Sequence, residues 1–443
     1  MGIPDPTPLP IVGNMVAMLS EGLRAFDRNA IQKYGKVFGH FDVLSTNLVV
    51  ADKEMLREIL VKQFNNFPDR RTVDGFAGDL EHGLVNVKGS HWKHNRRIIT
   101  PTFSSGKLRQ MMPLIQEACD TLVKTSQNLM ESGDDGQVEM RRLFGGYTMD
   151  GISSTAFGIH VDSQSNQDDL FVMHAKKMFD ISFTKPWMLV VSLDRIRILM
   201  YFLQLMIDAQ EGKLKLDDDE EDSKEQNNWS SEGHQGLTFD EILGNAKLFF
   251  VAGYETTALT PTMNAYNLAT NPECQERLRQ EIEEKLGSEV IDFENVKKLH
   301  YLDMCMNETL RMYPPAMRVN RMCVKTTKVN DITIPAGMTV TVPILAMQHD
   351  PEVWEKPVVF NPERFSASER DKHDPMDFLP FGYGPRNCVG MRLALMETKM
   401  ATAHIVRNFK MCVGSKTEIP LIMKDKSNLL KPVSAWLKLE QIK

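Results

Sequence analysis

The sequence lacks the cysteine spacing of a disulfide framework and of a zinc site. Its 443 residues contain only six cysteines. They stand far apart and form no CxxC pair, at positions Cys119, Cys274, Cys305, Cys323, Cys388 and Cys412. Isolated cysteines of this kind are typical of a reducing compartment, so we expect single thiols rather than cross-links.

A long uncharged apolar run is also absent, and the N-terminus has no signal peptide. A membrane-spanning helix needs about 20 consecutive apolar residues. The most apolar region, residues 187–207, is interrupted by Asp194, Arg195 and Arg197. We therefore interpret this region as a buried or amphipathic helix and not as a membrane span.

The sequence also lacks an excess of positive charge, which would indicate a nucleic-acid-binding protein. The formal net charge is −7, so no nucleic-acid partner is expected. With 42% hydrophobic and 25% charged residues, the composition is that of a globular protein with a full core.

Residues 216–236 are too acidic to pack and predict a solvated loop. No repeat or break in composition divides the chain, so residues 1–443 are expected to form a single domain.

The hydrophobic pattern predicts a mainly helical chain with a few short strands. Helices are predicted at residues 23–33, 106–130, 238–270, 272–286, 296–313 and 391–407, and strands at residues 41–43, 48–50 and within 319–344. The longest helix begins at a capping box formed by Thr238 and Glu241. At 1.5 Å per residue it is roughly 45 Å long, enough to cross a domain, and its apolar centre predicts that it is buried.

The strongest chemical signal is the ten-residue segment FGYGPRNCVG, which starts at Phe381 and ends where the last predicted helix begins. A cysteine just before a helix, as Cys388 is, lies near unpaired amides and the positive end of the helix dipole, which favour a thiolate. Gly382 and Gly384 permit a tight loop, and Arg386 is placed to meet a carboxylate. The plain alternative is a buried structural cysteine. The phenylalanine, glycines and arginine that surround Cys388 in this segment make a purely structural cysteine the less favoured interpretation. Cys388 is therefore predicted to act as a ligand.

A second signal lies in the middle of the longest helix, in the segment AGYETT. Gly253 lowers helix stability by about 1 kcal/mol relative to alanine, which suggests that something approaches the backbone closely. Thr256 offers a hydroxyl group and Glu255 a carboxyl group, both suited to passing protons inside an apolar site. The alternative is a threonine that bonds back to a carbonyl of its own helix, a common arrangement.

Residues 381–390 resemble the cysteine-ligand loop of the cytochrome P-450 family, FxxGxRxCxG, at every position. The resemblance implies the P-450 fold, mainly α with a small β-rich lobe, and haem b (iron protoporphyrin IX) as the cofactor. It implies Cys388 as the axial ligand of the metal, with Phe381 and Arg386 also in the cofactor site. The helix centre resembles the family's oxygen-activation motif, so Thr256 and Glu255 are implied as the catalytic, proton-delivering pair.

Two further motifs extend the resemblance to residues that bind haem in the family. Trp92 and Arg96 match the family's WxxxR, and their spacing of four places them on one helix face. Arg321 aligns with another arginine of the family. All three are implied to bind the haem propionates.

Glu308 and Arg311 taken alone would be a solvated helix pair worth about 0.2–0.5 kcal/mol. They resemble the family's ExxR, which forms a buried network with the arginine of the segment PERF, Arg364 here. A buried network of this kind is destabilised strongly when one partner is lost. The resemblance therefore implies a structural role for these three residues, in support of the haem pocket.

The resemblance covers nearly the whole chain and points to the microsomal family-three enzymes, which act on steroids and bulky lipophilic xenobiotics. Segments that carry it lie at residues 3–10, 33–37, 101–108 and 202–208. It implies a monooxygenase that inserts one oxygen atom from O₂ into a lipophilic substrate. The implied partners are NADPH-cytochrome P-450 reductase, cytochrome b5 and a membrane surface, and the implied location is the cytosolic face of the endoplasmic reticulum membrane.

The chain departs from those enzymes in two places. The N-terminal membrane anchor is expected to be absent, and the region between residues 183 and 202 is shorter, which would reduce the lid over the substrate channel. Two alternatives to the monooxygenase follow. One is a haem-thiolate isomerase or dehydratase that needs no reductase. The other is a catalytically impaired haem-binding form with a shortened lid.

Overall fold

The computed structural model describes residues 2–72, 78–165, 236–424 and 429–442. The segment at 183–202 and the acidic loop, apart from its last residue, lie outside these ranges. Within them, none of the helices combines the length and the apolar character that crossing a bilayer requires.

Helices make up most of the described structure. They are α1 Met15–Glu21, α2 Leu23–Tyr34, α3 Lys53–Arg57, α4 Gly89–Ile99, α5 Ser105–Ser132, α6 Met140–Phe157, α7 Phe239–Thr270, α8 Pro272–Leu286, α9 His300–Met312, α10 Ile344–Met347, α11 Ala367–Arg370 and α12 Met391–Asn408. The helices predicted from the sequence are present with boundaries close to those expected, except for the one at 296–313.

The predicted helix at 296–313 was wrong in its first turn. Residues Val296–Lys298 form a separate 3-10 turn, and α9 begins only at His300. The break is stabilised from another helix, because the carboxylate of Glu281 in α8 accepts hydrogen bonds from the amides of Tyr301 (2.7 Å) and Leu302 (3.1 Å). A side chain from α8 therefore caps α9, which local sequence does not reveal.

The strands form three small sheets. They are β1 Val37–Asp42, β2 Ser45–Val50, β3 Gln137–Glu139, β4 Val319–Met322, β5 Thr327–Val329, β6 Ile332–Ile334, β7 Thr339–Val342, β8 Phe409–Cys412 and β9 Trp436–Gln441. The largest has the order β1-β2-β7-β4, with β2 and β7 parallel. The others have the orders β3-β9-β8 and β5-β6. The predicted fold class, mainly α with a small β-rich lobe, is confirmed.

The central helix α7 begins with the predicted capping box. The Thr238 amide donates to Oε2 of Glu241 (2.8 Å), and the Glu241 amide donates to the Thr238 hydroxyl oxygen (3.2 Å). Residues 257–269 of α7 are buried, and their apolar side chains belong to the main core, which also includes side chains from α5, α6, α9 and α12. This part of the helix is therefore buried, as its apolar sequence predicts.

A second apolar core fills the β-rich lobe, around Leu48, Val340 and Leu379. The chain leaves this core at Leu379, makes the cysteine loop, and enters the helical core at Leu393 of α12. The loop that carries Cys388 therefore lies at the junction of the two cores. Cores of this kind are closely packed, so the loop is anchored firmly at both ends.

Candidate active site

Two glycines give the cysteine loop its shape. Gly382 and Gly384 have φ angles of 72° and 76°, in the left-handed region that favours glycine. A Cβ atom at Gly384 would lie 2.1 Å from the carbonyl oxygen of Leu60, so no larger residue fits there. The turn is closed by the Cys388 amide, which donates to the carbonyl of Phe381 (2.9 Å). Phe381 thus helps to fix the cysteine through its backbone.

Cys388 lies deep in the protein, yet its side chain is exposed. The thiol therefore faces an internal opening. Burial raises the pKa of the Cys388 thiol, and the Gly390 amide and the cations of Arg96 and Arg70 offset this only in part. The Gly390 amide thus favours the thiolate, as the sequence predicts, although burial has the larger effect on the free thiol. A bound metal ion would add a further positive charge beside the thiol and favour its thiolate form.

The central helix also presents an open face. Ala252 is exposed although it lies between elements of the core, and the hydroxyl group of Thr256, one turn later, lies on the same face. The Thr256 hydroxyl donates to the carbonyl oxygen of Ala252 at 2.5 Å. The back-bonded arrangement considered from the sequence is therefore present, and it holds the hydroxyl at the edge of the opening.

The glycine in the middle of α7 has a different explanation from the one expected. A Cβ atom at Gly253 would lie 2.9 Å from Cδ1 of Ile152 in α6. The group that approaches this backbone is therefore a side chain of a neighbouring helix. Gly253 permits α6 and α7 to pack closely, and its presence is no indication of a bound ligand.

Glu255 is held on the α6 side of the central helix. Its Oε1 accepts a hydrogen bond from Nη2 of Arg141 (3.2 Å), at the beginning of α6, and another from Nζ of Lys431 (2.5 Å). The side chain of Glu255 is largely buried. The carboxylate of Glu255 and the hydroxyl of Thr256 are thus engaged with different partners. Neither Arg141 nor Lys431 was identified from the sequence.

Four arginines converge on the cysteine loop: Arg70, Arg96, Arg321 and Arg386. Arg96 donates from Nη1 and Nη2 to the backbone carbonyl (3.0 Å) and the side chain (2.8 Å) of Asn387. Burial lowers the pKa of Arg70 and of Arg96, and it lowers the pKa of Arg321 and of Arg386 to about 9. The cations also depress one another's pKa, Arg70 acting on the other three.

Sequence reasoning missed Arg70. It follows Asp69 in an irregular segment and matches no motif used above, so the sequence alone suggests a solvated surface cation. In the structure it is half-buried, its Nε atom is buried, and its Nη2 lies 3.4 Å from the carbonyl oxygen of Arg386. The same carbonyl lies 3.5 Å from Nη2 of Arg321. Only the long-range packing of the two segments brings these groups together.

Arg386 has mostly protein partners. Its Nη2 donates to the carbonyls of Val85 (3.2 Å) and Val87 (2.7 Å), and its Nη1 contacts the carbonyl of Pro68 and Oδ1 of Asp69 (3.4 Å). The carboxylate that Arg386 meets thus belongs to the protein itself. Its guanidinium also stacks on the ring of Trp92, 4.8 Å from the centroid. Its binding to the cofactor stays a prediction.

Within the described ranges, three of the arginines around the cysteine loop have unpaired hydrogen-bond donors, which suit an anionic ligand. The Nε atoms of Arg70, Arg321 and Arg386 are buried without a hydrogen-bond partner among the residues that the structure describes. Unpaired buried donors and uncompensated cations are both unfavourable, so this region is complementary to carboxylates. The two propionates of haem b have that chemistry, and the thiol of the adjoining Cys388 suits its iron. The residues present therefore fit the implied cofactor.

The predicted ExxR network is present, and its Glu308–Arg311 pair is fully buried. Arg311 donates from Nε and Nη2 to the Glu308 carboxylate at 2.7 and 2.9 Å, and Nε of Arg364 lies 3.3 Å from the same carboxylate. The amide of Asn361 donates to it at 3.0 Å. Arg311 also donates to the carbonyls of Gln348 and Pro357, both at 2.7 Å. The alternative of a solvated helix pair is thereby excluded, since neither member is exposed.

Comparison with known proteins agrees with this geometry. A sequence model of the family described as Cytochrome P450 matches residues 3–439. Cytochrome P450 3A2 of Rattus norvegicus is 38% identical over 95% of this chain and 87% of its own length. Cytochrome P450 3A7 of Homo sapiens is 36% identical over 99% and 91%. Cytochrome P450 3A27 of Oncorhynchus mykiss is 35% identical over 98% and 88%.

These matches extend well beyond the cysteine loop and include both the helical core and the β-rich lobe. The resemblance to family-three enzymes predicted from the sequence is confirmed. The chain belongs to the cytochrome P450 family, and it is a haem-thiolate monooxygenase with haem b as its cofactor.

Proposed function

We propose that Cys388 is the axial ligand of the haem iron and that the four arginines around it form the cofactor site, with Arg70, Arg96 and Arg321 receiving the haem propionates. The observation that carries this proposal is the exposed thiol of a deeply placed cysteine beside three unpaired guanidinium donors. When bound, the haem activates O₂ at its iron, and a thiolate ligand favours cleavage of the oxygen–oxygen bond.

The arginines have two kinds of task in this proposal. Arg70 and Arg321 offer buried Nε donors and bind the propionates, with Arg96 and Trp92 on α4 beside them. Arg96 also orients Asn387, the residue before the ligand. Arg386 mainly ties the loop to residues 68–87 and supports the site through those contacts.

Thr256 and Glu255 are proposed to deliver protons to the reacting oxygen. The hydroxyl of Thr256 lies at the open face of α7, where it can pass a proton and take one from a neighbour. Glu255 is the next residue along the helix, and its carboxyl group is the acid that would supply the hydroxyl with protons. The intact acid–alcohol pair supports the oxidation of a lipophilic substrate over isomerisation of a peroxide.

The substrate is proposed to be a steroid or a lipophilic xenobiotic. Candidate contacts are Ala316, Met317 and Val319 after the double proline, and Leu84 and Val85 on the other side of the loop. Met317 belongs to the main apolar core and Leu84 to a separate apolar cluster. Apolar side chains of this kind suit a lipophilic ligand.

We propose that electrons come from NADPH through NADPH-cytochrome P-450 reductase, with cytochrome b5 as a second donor. The P450 family works with redox partners, and family-three relatives are similar over nearly the whole chain. We further propose that residues 1–443 act as one catalytic domain.

A membrane surface at the cytosolic face of the endoplasmic reticulum is the proposed location. An apolar patch on the β-rich lobe supports it. The patch consists of exposed side chains of Leu9, Ile11, Val12, Val16, Leu19, Val43 and Leu44. A bridge between Gly13 and Asp42 brings the two segments together. Contiguous exposed apolar side chains of this kind mark interaction with a partner or a membrane.

The test of the proposed function is the carbon monoxide difference spectrum of the reduced protein. We expect the red-shifted band of a thiolate-ligated haem in the parent and its loss in Cys388→Ala. Product formation from a lipophilic substrate should then require both reductase and NADPH. A parent protein that binds haem without the thiolate band, or that converts a peroxide without reductase and oxidises no substrate, would overturn the proposal.

A further inference from the structure

The carboxylate of Glu255 is held by Lys431, a residue 176 positions away in the C-terminal part of the chain. The backbone around Lys431 is fixed by three hydrogen bonds. The Leu430 amide donates to the carbonyl of Pro315 (2.9 Å), the Lys424 amide to that of Lys431 (2.8 Å), and the Val433 amide to that of Ile422 (2.8 Å). The ammonium group is therefore presented from a rigid support.

The contact between Lys431 and Glu255 is shielded from solvent. The two side chains are 18% and 12% exposed, whereas Arg141, the second cation on the same oxygen, is 31% exposed. An ion pair of this kind is stronger than one at the surface, because less solvent screens it. Lys431, at 2.5 Å, is also closer to the carboxylate than Arg141, at 3.2 Å.

We infer that Lys431 is a positioning residue for the oxygen-activating chemistry: it sets where the Glu255 carboxylate stands relative to the Thr256 hydroxyl. This inference rests on the proposed role of Glu255 in proton delivery. A glutamate side chain has several rotatable bonds, and proton transfer depends steeply on the placement of the acid. Without Lys431, the more exposed Arg141 is the one cation left on the carboxylate among the residues that the structure describes, and the carboxylate can follow it toward solvent.

The segment that carries Lys431 also contacts the candidate substrate pocket. Leu429 pairs with Ala316, and Leu430 bonds to Pro315, both in the turn after α9. One short segment thus contacts both the acid on α7 and residues proposed to line the substrate site.

The decisive experiment is a double-mutant cycle on the haem protein. The measured quantity is the coupling, which is the fraction of NADPH electrons recovered in product rather than in hydrogen peroxide. Lys431→Met should lower coupling about 3- to 10-fold. The same change should have no further effect in Glu255→Gln, because the group that Lys431 positions is already altered. Lys431→Arg, which retains the cation, should restore most of the coupling.

Zero-length carbodiimide cross-linking gives a readout that does not depend on activity. It joins a carboxylate to an amine only when the two are in contact, so peptides containing Glu255 and Lys431 should be found linked in the haem protein. The link should be absent in Lys431→Met and in Lys431→Arg. Lys438, whose Nζ lies 3.1 Å from Oδ1 of Asp135, supplies the positive control for the reaction. Lys438→Met is the matched control for coupling and should leave it unchanged.

The outcomes separate this inference from the proposed function. If Glu255→Gln by itself leaves coupling unchanged, the proposed role of Glu255 fails and the inference fails with it. If Glu255→Gln impairs coupling but Lys431→Met does not, only the inference is overturned. An equal loss from Lys431→Met in both backgrounds, or a missing Glu255–Lys431 link where the Lys438–Asp135 link forms, would also overturn it.

Discussion

Arg96 donates two hydrogen bonds to Asn387, one to its backbone carbonyl at 3.0 Å and one to its side-chain oxygen at 2.8 Å. Asn387 directly precedes Cys388, so a guanidinium group on α4 fixes the backbone from which the thiol projects. The same cation lowers the pKa of that thiol. Arg96 therefore contributes to the site both through geometry and through charge.

Arg96→Met should weaken haem binding. It removes two hydrogen bonds from a charged donor, each worth about 1.5–3 kcal/mol, so haem should dissociate at least about tenfold faster. The measurement is haem transfer to excess apomyoglobin, together with the haem-to-protein ratio. Arg109→Met is the control, since Arg109 pairs with Glu294 at the surface. Equal rates in the two variants would contradict the role given to Arg96.

The two glycines of the cysteine loop should respond differently to alanine. Both have positive φ angles, so each substitution introduces backbone strain of about 1–2 kcal/mol. At Gly382 the added Cβ would meet its nearest neighbour, Cα of Asn387, at 3.9 Å, whereas at Gly384 it would overlap the Leu60 carbonyl at 2.1 Å. Gly384→Ala should abolish the thiolate band in the carbon monoxide spectrum, and Gly382→Ala should retain it. Retention in both would show that the loop tolerates displacement.

Glu308→Gln should prevent accumulation of the folded protein. It leaves Arg311 buried without its carboxylate, and loss of one partner of a buried pair is destabilising by about 3–5 kcal/mol. Such a loss is a large share of the 5–15 kcal/mol that is typical of folded domains. The yield of soluble haem protein and its thermal midpoint measure the effect. Glu294→Gln breaks an exposed pair, worth about 1 kcal/mol or less, and should leave both quantities nearly unchanged.

Glu397 on α12 should make the protein less stable as the pH rises. Its Oε1 is buried without a partner within the described part of the chain, and burial raises the pKa of its carboxyl from 4.5 to about 8. Between these two values the folded protein holds a proton that the unfolded chain has released. The contribution of Glu397 to stability is therefore greatest below pH 4.5 and is lost as the pH rises toward 8.

Glu397→Gln removes this ionisation with little change of shape. Its thermal midpoint should exceed that of the parent at pH 9, and the difference between the two proteins should shrink steadily toward pH 5. Comparing the two proteins at each pH cancels the titration of all other groups. A difference that is independent of pH between 5 and 9 would show that Glu397 is not the group responsible.

Local signals in the sequence accounted for much of the fold. The capping box of Thr238 and Glu241 predicted the start of α7, and the end predicted at residue 270 agrees with the structure. The boundary of α9 was missed because its cap is the carboxylate of Glu281, which comes from another helix. Boundaries set by neighbouring residues were predictable, whereas those set by distant contacts were not.

The sequence by itself determined the cysteine loop, because a loop with two left-handed glycines and a cysteine before a helix is encoded within ten residues. The family and the cofactor followed from the resemblance of those residues to the P-450 motif. The tertiary structure decided the meaning of the charged residues. Arg70 and Lys431 look like ordinary surface cations in the sequence, and Gly253 looks like a ligand contact. Long-range packing places Arg70 beside the cysteine loop, Lys431 on Glu255 and Ile152 against Gly253. The effect of a charge depends on how far it is removed from water and on what faces it, and folding alone sets both.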